Sequence, residues 1–77
     1  MNFSATYSGQ SPSGNCILCD VMAENGMHRP HVWLDQTYRG RFSSAMIGLR
    51  LSIRGKYRRY RSDAWTIHEI QSVEVEP

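Results

Sequence analysis

The chain reads as a small α+β domain: one short helix packed on a twisted antiparallel sheet of three to four strands, preceded by a flexible N-terminal arm. Three features carry that expectation. Ile47, Leu49, Leu51 and Ile53 alternate with Gly48, Arg50, Ser52 and Arg54, the period of a half-buried strand. Ile17, Leu18, Val21 and Met22 recur at helical spacing behind Asn15, a residue suited to an N-cap. Trp65, Ile67, Val73 and Val75 share one parity in a segment rich in Trp, Thr, Ile and Val.

Taken in order, residues 1–14 carry no charge, are rich in Ser and Gly and hold Phe3 and Tyr7 as isolated aromatics, the pattern of a flexible arm in front of a single small domain over 15–77. The helix is expected from about 16 to 25, with Gly26 as its left-handed cap. Pro30 biases Arg29 toward extended backbone, and Val32-Trp33-Leu34 follows as a first strand. Gly55-Lys56 fits a two-residue hairpin turn with glycine leading, which returns Tyr57 to Arg61 alongside residues 47–54. Ser62-Asp63 makes the next turn. Ile70 breaks the parity of the last segment, and a bulge near Glu69 or Gln71 restores it; a helix opening at Asp63 is the competing reading. The expected core is Trp33, Leu49, Leu51, Ile53, Tyr60, Trp65 and Ile67, with Ile17, Leu18, Val21 and Met22 packed on one face.

A chain of 77 residues is one domain. At this size only about 60% of the unfolded surface is buried, so a metal, a dimer interface or a bound partner would add needed stability. No apolar run approaches the roughly 18 residues that cross a bilayer, and the first residues lack a signal-peptide pattern. A soluble, cytoplasmic protein without membrane contact is expected. Asn2-Phe3-Ser4 fits the glycosylation triplet but has no secretory context.

The charge is segregated. Net charge is only +2, yet between Asp35 and Asp63 lie eight cations and no anion: Arg39, Arg41, Arg50, Arg54, Lys56, Arg58, Arg59 and Arg61. Such a block points to an acidic partner, and arginine's planar fork suits phosphate and carboxylate. In the expected hairpin Arg50 faces Arg61, Arg54 faces Tyr57 and Ser52 faces Arg59, so Arg50, Arg54, Arg59 and Arg61 surround Tyr57 on one wet face. With Lys56, Arg39 and Arg41, that face is the expected binding surface. The leading reading is a non-catalytic regulator that binds nucleic acid or a nucleic-acid-processing complex. The alternative is a protein-binding inhibitor, in the manner of phage accessory factors, docking on an acidic surface of a larger host enzyme such as a polymerase or nuclease. A solvated strand using charge to discourage edge pairing would look the same in sequence. The acidic segment Glu69 to Glu76 would either screen the basic face or form an ordinary soluble strand and tail.

Cys16, Cys19, His28 and His31 follow a C-x2-C-x8-H-x2-H spacing, residue types that complete a tetrahedral structural Zn2+ site. His68 is a spare ligand. The spacing departs from the finger pattern of about twelve residues between pairs and three to five between histidines. Two other readings compete: a reactive thiol at Cys16 in a first helical turn, and two small buried thiols beside surface histidines. There is no Gly-rich phosphate loop and no paired-carboxylate arrangement, so no enzyme is expected.

Overall fold

A computed structural model describes all 77 residues. Five strands form one antiparallel sheet: β1 (Asn2–Gln10), β2 (Cys16–Ala23), β3 (His28–Trp33), β4 (Arg50–Arg61) and β5 (Ala64–Val75). Their spatial order is β3-β2-β1-β4-β5. Strands β1 to β3 are joined by hairpins, and a long connection returns β4 to lie beside β1, which is a Greek key. That connection carries two 3-10 segments, Gln36–Arg41 and Ser44–Met46. There is no α-helix, so the fold is nearly all-β and the α+β expectation is corrected. No helix is long and apolar enough to cross a membrane.

The two edge strands are drawn toward each other. Thr66 Oγ1 donates to the Trp33 carbonyl at 2.8 Å, and the Arg29 guanidinium donates to the Trp65 carbonyl at 2.7 Å. The sheet therefore curls into a partly open barrel around one core. Phe3, Ala5 and Tyr7 enter it from β1, Leu18 and Val21 from β2, Leu51 and Ile53 from β4, and Trp65, Ile67 and Ile70 from β5. Phe42, from the long connection, stacks on Tyr7 with ring centroids 4.9 Å apart.

The segment expected as a helix is β2. Its inward residues are Cys16, Leu18, Val21 and Ala23, an alternation with one extra step in the middle. That step is Asp20, held at φ 49° where β2 slips one residue against β1: Thr6 pairs with Cys19, but Ser4 pairs with Met22. A single bulged residue turns a period of two into a spacing that imitates a helix. Asn15 does not cap a helix; its side chain donates to the Leu34 carbonyl at 3.0 Å. Gly26 is left-handed, at φ 91°, but as the tip of an Asn-Gly hairpin whose Ala23 N–H donates to the Met27 carbonyl at 2.8 Å.

Residues 2–10, expected within the flexible arm, form the central strand. Phe3, Ala5 and Tyr7 alternate inward against Ser4, Thr6 and Ser8, a small polar outer face. A strand paired on both edges has its backbone groups satisfied and needs no charge for solubility.

Gly55-Lys56 is not a turn. β4 runs through it unbroken, and Gly55 exchanges two 3.0 Å hydrogen bonds with Met1, one through the chain's ammonium group. Across the other edge, Arg54 pairs with Ser72 and Lys56 with His68, so Glu69, Ile70 and Gln71 bulge out of β5. The bulge expected near Glu69 or Gln71 is present; Glu69 sits at φ 49° and Ile70 turns into the core. A Cβ at position 55 would lie 2.8 Å from Ile67 Cγ2 and 3.1 Å from the His68 carbonyl oxygen. Glycine is required there by close approach of a neighbouring strand. The true hairpin turn is at Ser62-Asp63, and the terminal segment is strand, both as expected.

Candidate nucleic-acid interface

An unbroken β4 redistributes the predicted basic face. Arg50 pairs with Thr6 and Arg61 with Ala64, so they do not face each other. Strand alternation puts Arg50, Arg54, Lys56 and Arg58 on the outer side, and Arg59 on the side of Tyr57. The four arginines are thus not one cluster around Tyr57, whose half-buried ring packs 5.7 Å from Trp65.

Neighbours decide which cations are free. Arg50 serves the scaffold: it donates to Ser4 Oγ at 2.9 Å, the Ser4 carbonyl at 3.1 Å and the Asp20 carbonyl at 2.7 Å, and lies 3.5 Å from the Asp20 carboxylate. Arg41 holds the β5 bulge through the Ile70 carbonyl at 3.0 Å. Lys56 is 3.1 Å from Glu69 and holds that carboxyl below its ordinary range. Arg54 has one long bond, 3.3 Å to Asn2 Oδ1. Arg59 donates to the Arg61 carbonyl at 3.3 Å, and Arg61 is 3.9 Å from Asp63. Arg39 and Arg58 make no side-chain hydrogen bond or ion pair. The acidic segment does not cover the hairpin tip: Glu69 meets Lys56, and Glu76 accepts from Ser4 Oγ near Arg50.

A cleft of about 330 Å³ opens at the seam between β3 and β5. Leu34 and Ile67 are its apolar floor; Trp33, Tyr38 and Tyr60 supply three rings, and Arg58, His68 and Asp35 supply its charge and polarity. Trp33 faces outward because Val32 and Leu34, on either side, point into the core. Tyr60 stands where β4 slips against β5, between Arg59 and Arg61. Trp33 is 52% and Tyr60 56% exposed, although both were expected in the core. Met22 and Leu49 are also exposed, Ile17 is half-buried, and the other predicted core residues are buried. The Tyr38 hydroxyl is anchored by accepting the Glu69 N–H at 2.6 Å. Asp35 accepts the Thr37 N–H at 2.9 Å, which caps the first 3-10 segment and holds its carboxyl below the usual range.

The four predicted zinc ligands are not gathered around one point. Cys16 is fully buried on the inner side, where the Tyr7 hydroxyl donates to its sulfur at 3.9 Å. Cys19 lies on the outer side, opposite His31 and Thr6 and hydrogen-bonded with Ser8 Oγ. His28 is 2.8 Å from Asp20, His31 is exposed, and His68 lines the cleft. No three His, Cys, Asp or Glu side chains converge as a metal-binding group. Burial pushes the Cys16 thiol up, the reverse of the activation that a helix terminus would give.

No protein-family model, no curated protein and no solved structure matches the chain.

Proposed function

We propose that this protein binds single-stranded nucleic acid without catalysis, with bases stacking in the β3–β5 cleft and phosphates held by arginines of the β4–β5 hairpin. One observation carries the reading: Trp33 and Tyr60, each more than half exposed, line the same cleft as Arg58, a guanidinium with no partner in the protein. Leaving a large apolar side chain in water forgoes about 1.5–3 kcal/mol of burial, and stacking on a base returns about 1–3 kcal/mol. Duplex bases hide their faces, so this platform suits a single strand. Arg54, on the same outer side of β4 as Arg58, is a further cation for the backbone. Fold-level analogy points the same way: oligonucleotide-binding Greek-key barrels bind beside strands 2 and 3 and the loops joining strands 1–2 and 4–5. Here Trp33 ends β3, Asn15 ends the β1–β2 loop, and Arg58 and Tyr60 belong to the β4–β5 hairpin.

The test is fluorescence anisotropy with a labelled single strand and with its duplex at two salt concentrations. The single strand should bind more tightly, and its affinity should fall with salt at a slope of roughly 0.7 per phosphate neutralised. Trp33→Ala and Tyr60→Ala should each cost about 1–3 kcal/mol of binding. Arg58→Ala should reduce the salt slope by about 0.7. Absence of saturable binding at low salt would reject this function and leave the aromatic and arginine surface to a protein partner.

A further inference from the structure

The cleft contains one feature that phosphate binding does not explain. Asp35 is its sole carboxylate, and it forms no ion pair despite the cation-rich segment that follows it. Its charge repels a nucleic-acid backbone. Asp35 is exposed, and Thr37 takes up part of its carboxylate: its N–H donates to Oδ1 at 2.9 Å, and its side chain is a second local donor. An ionised carboxylate has about four acceptor positions, so about half of its capacity faces solvent and is open to a ligand. Hydrogen bonds from Thr37 hold the carboxyl below its usual range. A cleft of about 330 Å³ is at the small end of ligand pockets, room for one base with its sugar.

We infer that Asp35 is a specificity-determining residue that reads the Watson–Crick edge of the base stacked in the cleft and selects guanine. The inference rests on the single-strand reading above. Guanine alone presents two adjacent donors on that edge, N1–H and the N2 amino group, which match the two oxygens of a carboxylate. Cytosine and adenine each offer one amino donor beside a ring-nitrogen acceptor. Thymine and uracil place a carbonyl on both sides of a single N–H, so two acceptors would face the anion. Guanine therefore ranks first and thymine or uracil last.

Anisotropy titrations of the full chain with oligo-dT, and with the same strand carrying one central dG or one central deoxyinosine, separate the possibilities. The dG strand should bind about tenfold more tightly than oligo-dT, and deoxyinosine, which lacks the N2 amine, should lose part of that gain. Asp35→Asn keeps a capping oxygen but replaces an acceptor with a donor, and Asp35→Ser is a second capping-competent variant. Both should bring the dG and dT strands to the same affinity. Equal affinities in the wild type, or a dG preference that survives both substitutions, would overturn the inference while leaving single-strand binding in place. Failure of every strand to bind would instead remove the underlying function, and this inference with it.

Discussion

Gly55→Ala tests the arrangement on which the barrel depends, the passage of β4 beneath the β5 bulge. The new methyl carbon would meet Ile67 Cγ2 at 2.8 Å, the His68 carbonyl oxygen at 3.1 Å and Ile70 Cα at 3.4 Å. Two of these are backbone atoms, and Ile67 is a β-branched core residue only 1% exposed, so no flexible side-chain end can yield. Overpacking of this kind costs about 1–3 kcal/mol. Replacing glycine also stiffens the unfolded chain, which returns about 0.4–1 kcal/mol. The expected net effect is a loss of about 1–2 kcal/mol, or roughly 5–15 °C in Tm for a domain of this size. Urea unfolding followed by the fluorescence of buried Trp65 measures it directly. Gly40→Ala is the control: a Cβ there meets nothing within 4 Å, and the midpoint should move by no more than about 0.5 kcal/mol. A Gly55→Ala protein as stable as the wild type would refute the close crossing.

Phe3→Ala removes a ring that is 2% exposed and should cost about 3–5 kcal/mol; deletion of residues 2–10 should abolish the folded state by circular dichroism, whereas a dispensable arm would leave the melt unchanged. Arg50→Ala breaks the bonds to Ser4 and Asp20; with its side chain 32% exposed, solvent screening discounts the charge-assisted bonds to a loss of roughly 1–2 kcal/mol, while Arg58→Ala should leave Tm unaltered. Burial raises the ionisation of the Tyr7 hydroxyl and Cys16 thiol above their ordinary values of 10.0 and 9.0. The unfolded chain then gives up these protons first, so stability is complete below pH 9.0 and is lost as the pH rises beyond it. A Tm equal at about pH 8 and about pH 10.5 would contradict that sign.

Legibility in the sequence followed the continuity of the local pattern. Leu51 and Ile53 alternate without interruption and were placed correctly, as were the Ser62-Asp63 turn and the bulge that returns Val73 to register after Ile70. β2 imitates a helix in sequence because Asp20 inserts one residue into its alternation. β1 imitates a loop because Ser4, Thr6 and Ser8 dilute its apolar residues. At the site, segregated charge was visible along the chain, but the freedom of each cation was not. Arg50 is held by Asp20 and Ser4, residues distant in sequence. Trp33 and Tyr60 read as core in sequence because hydropathy records a side chain's affinity for an apolar neighbour and not whether one is there. Asp35 gave no signal beyond its place at the edge of the basic block.

Strand period, turn chemistry and charge order are properties of neighbouring residues, so the amino-acid order settles them before the chain folds. Which strands pair, where a bulge shifts the register, and which side of β3 faces a seam depend on contacts between residues tens of positions apart. Those contacts exist only once the sheet has curled. Gly55 joins the two levels, since any glycine permits a turn, and only the neighbouring strand's close approach makes it a position where no side chain fits.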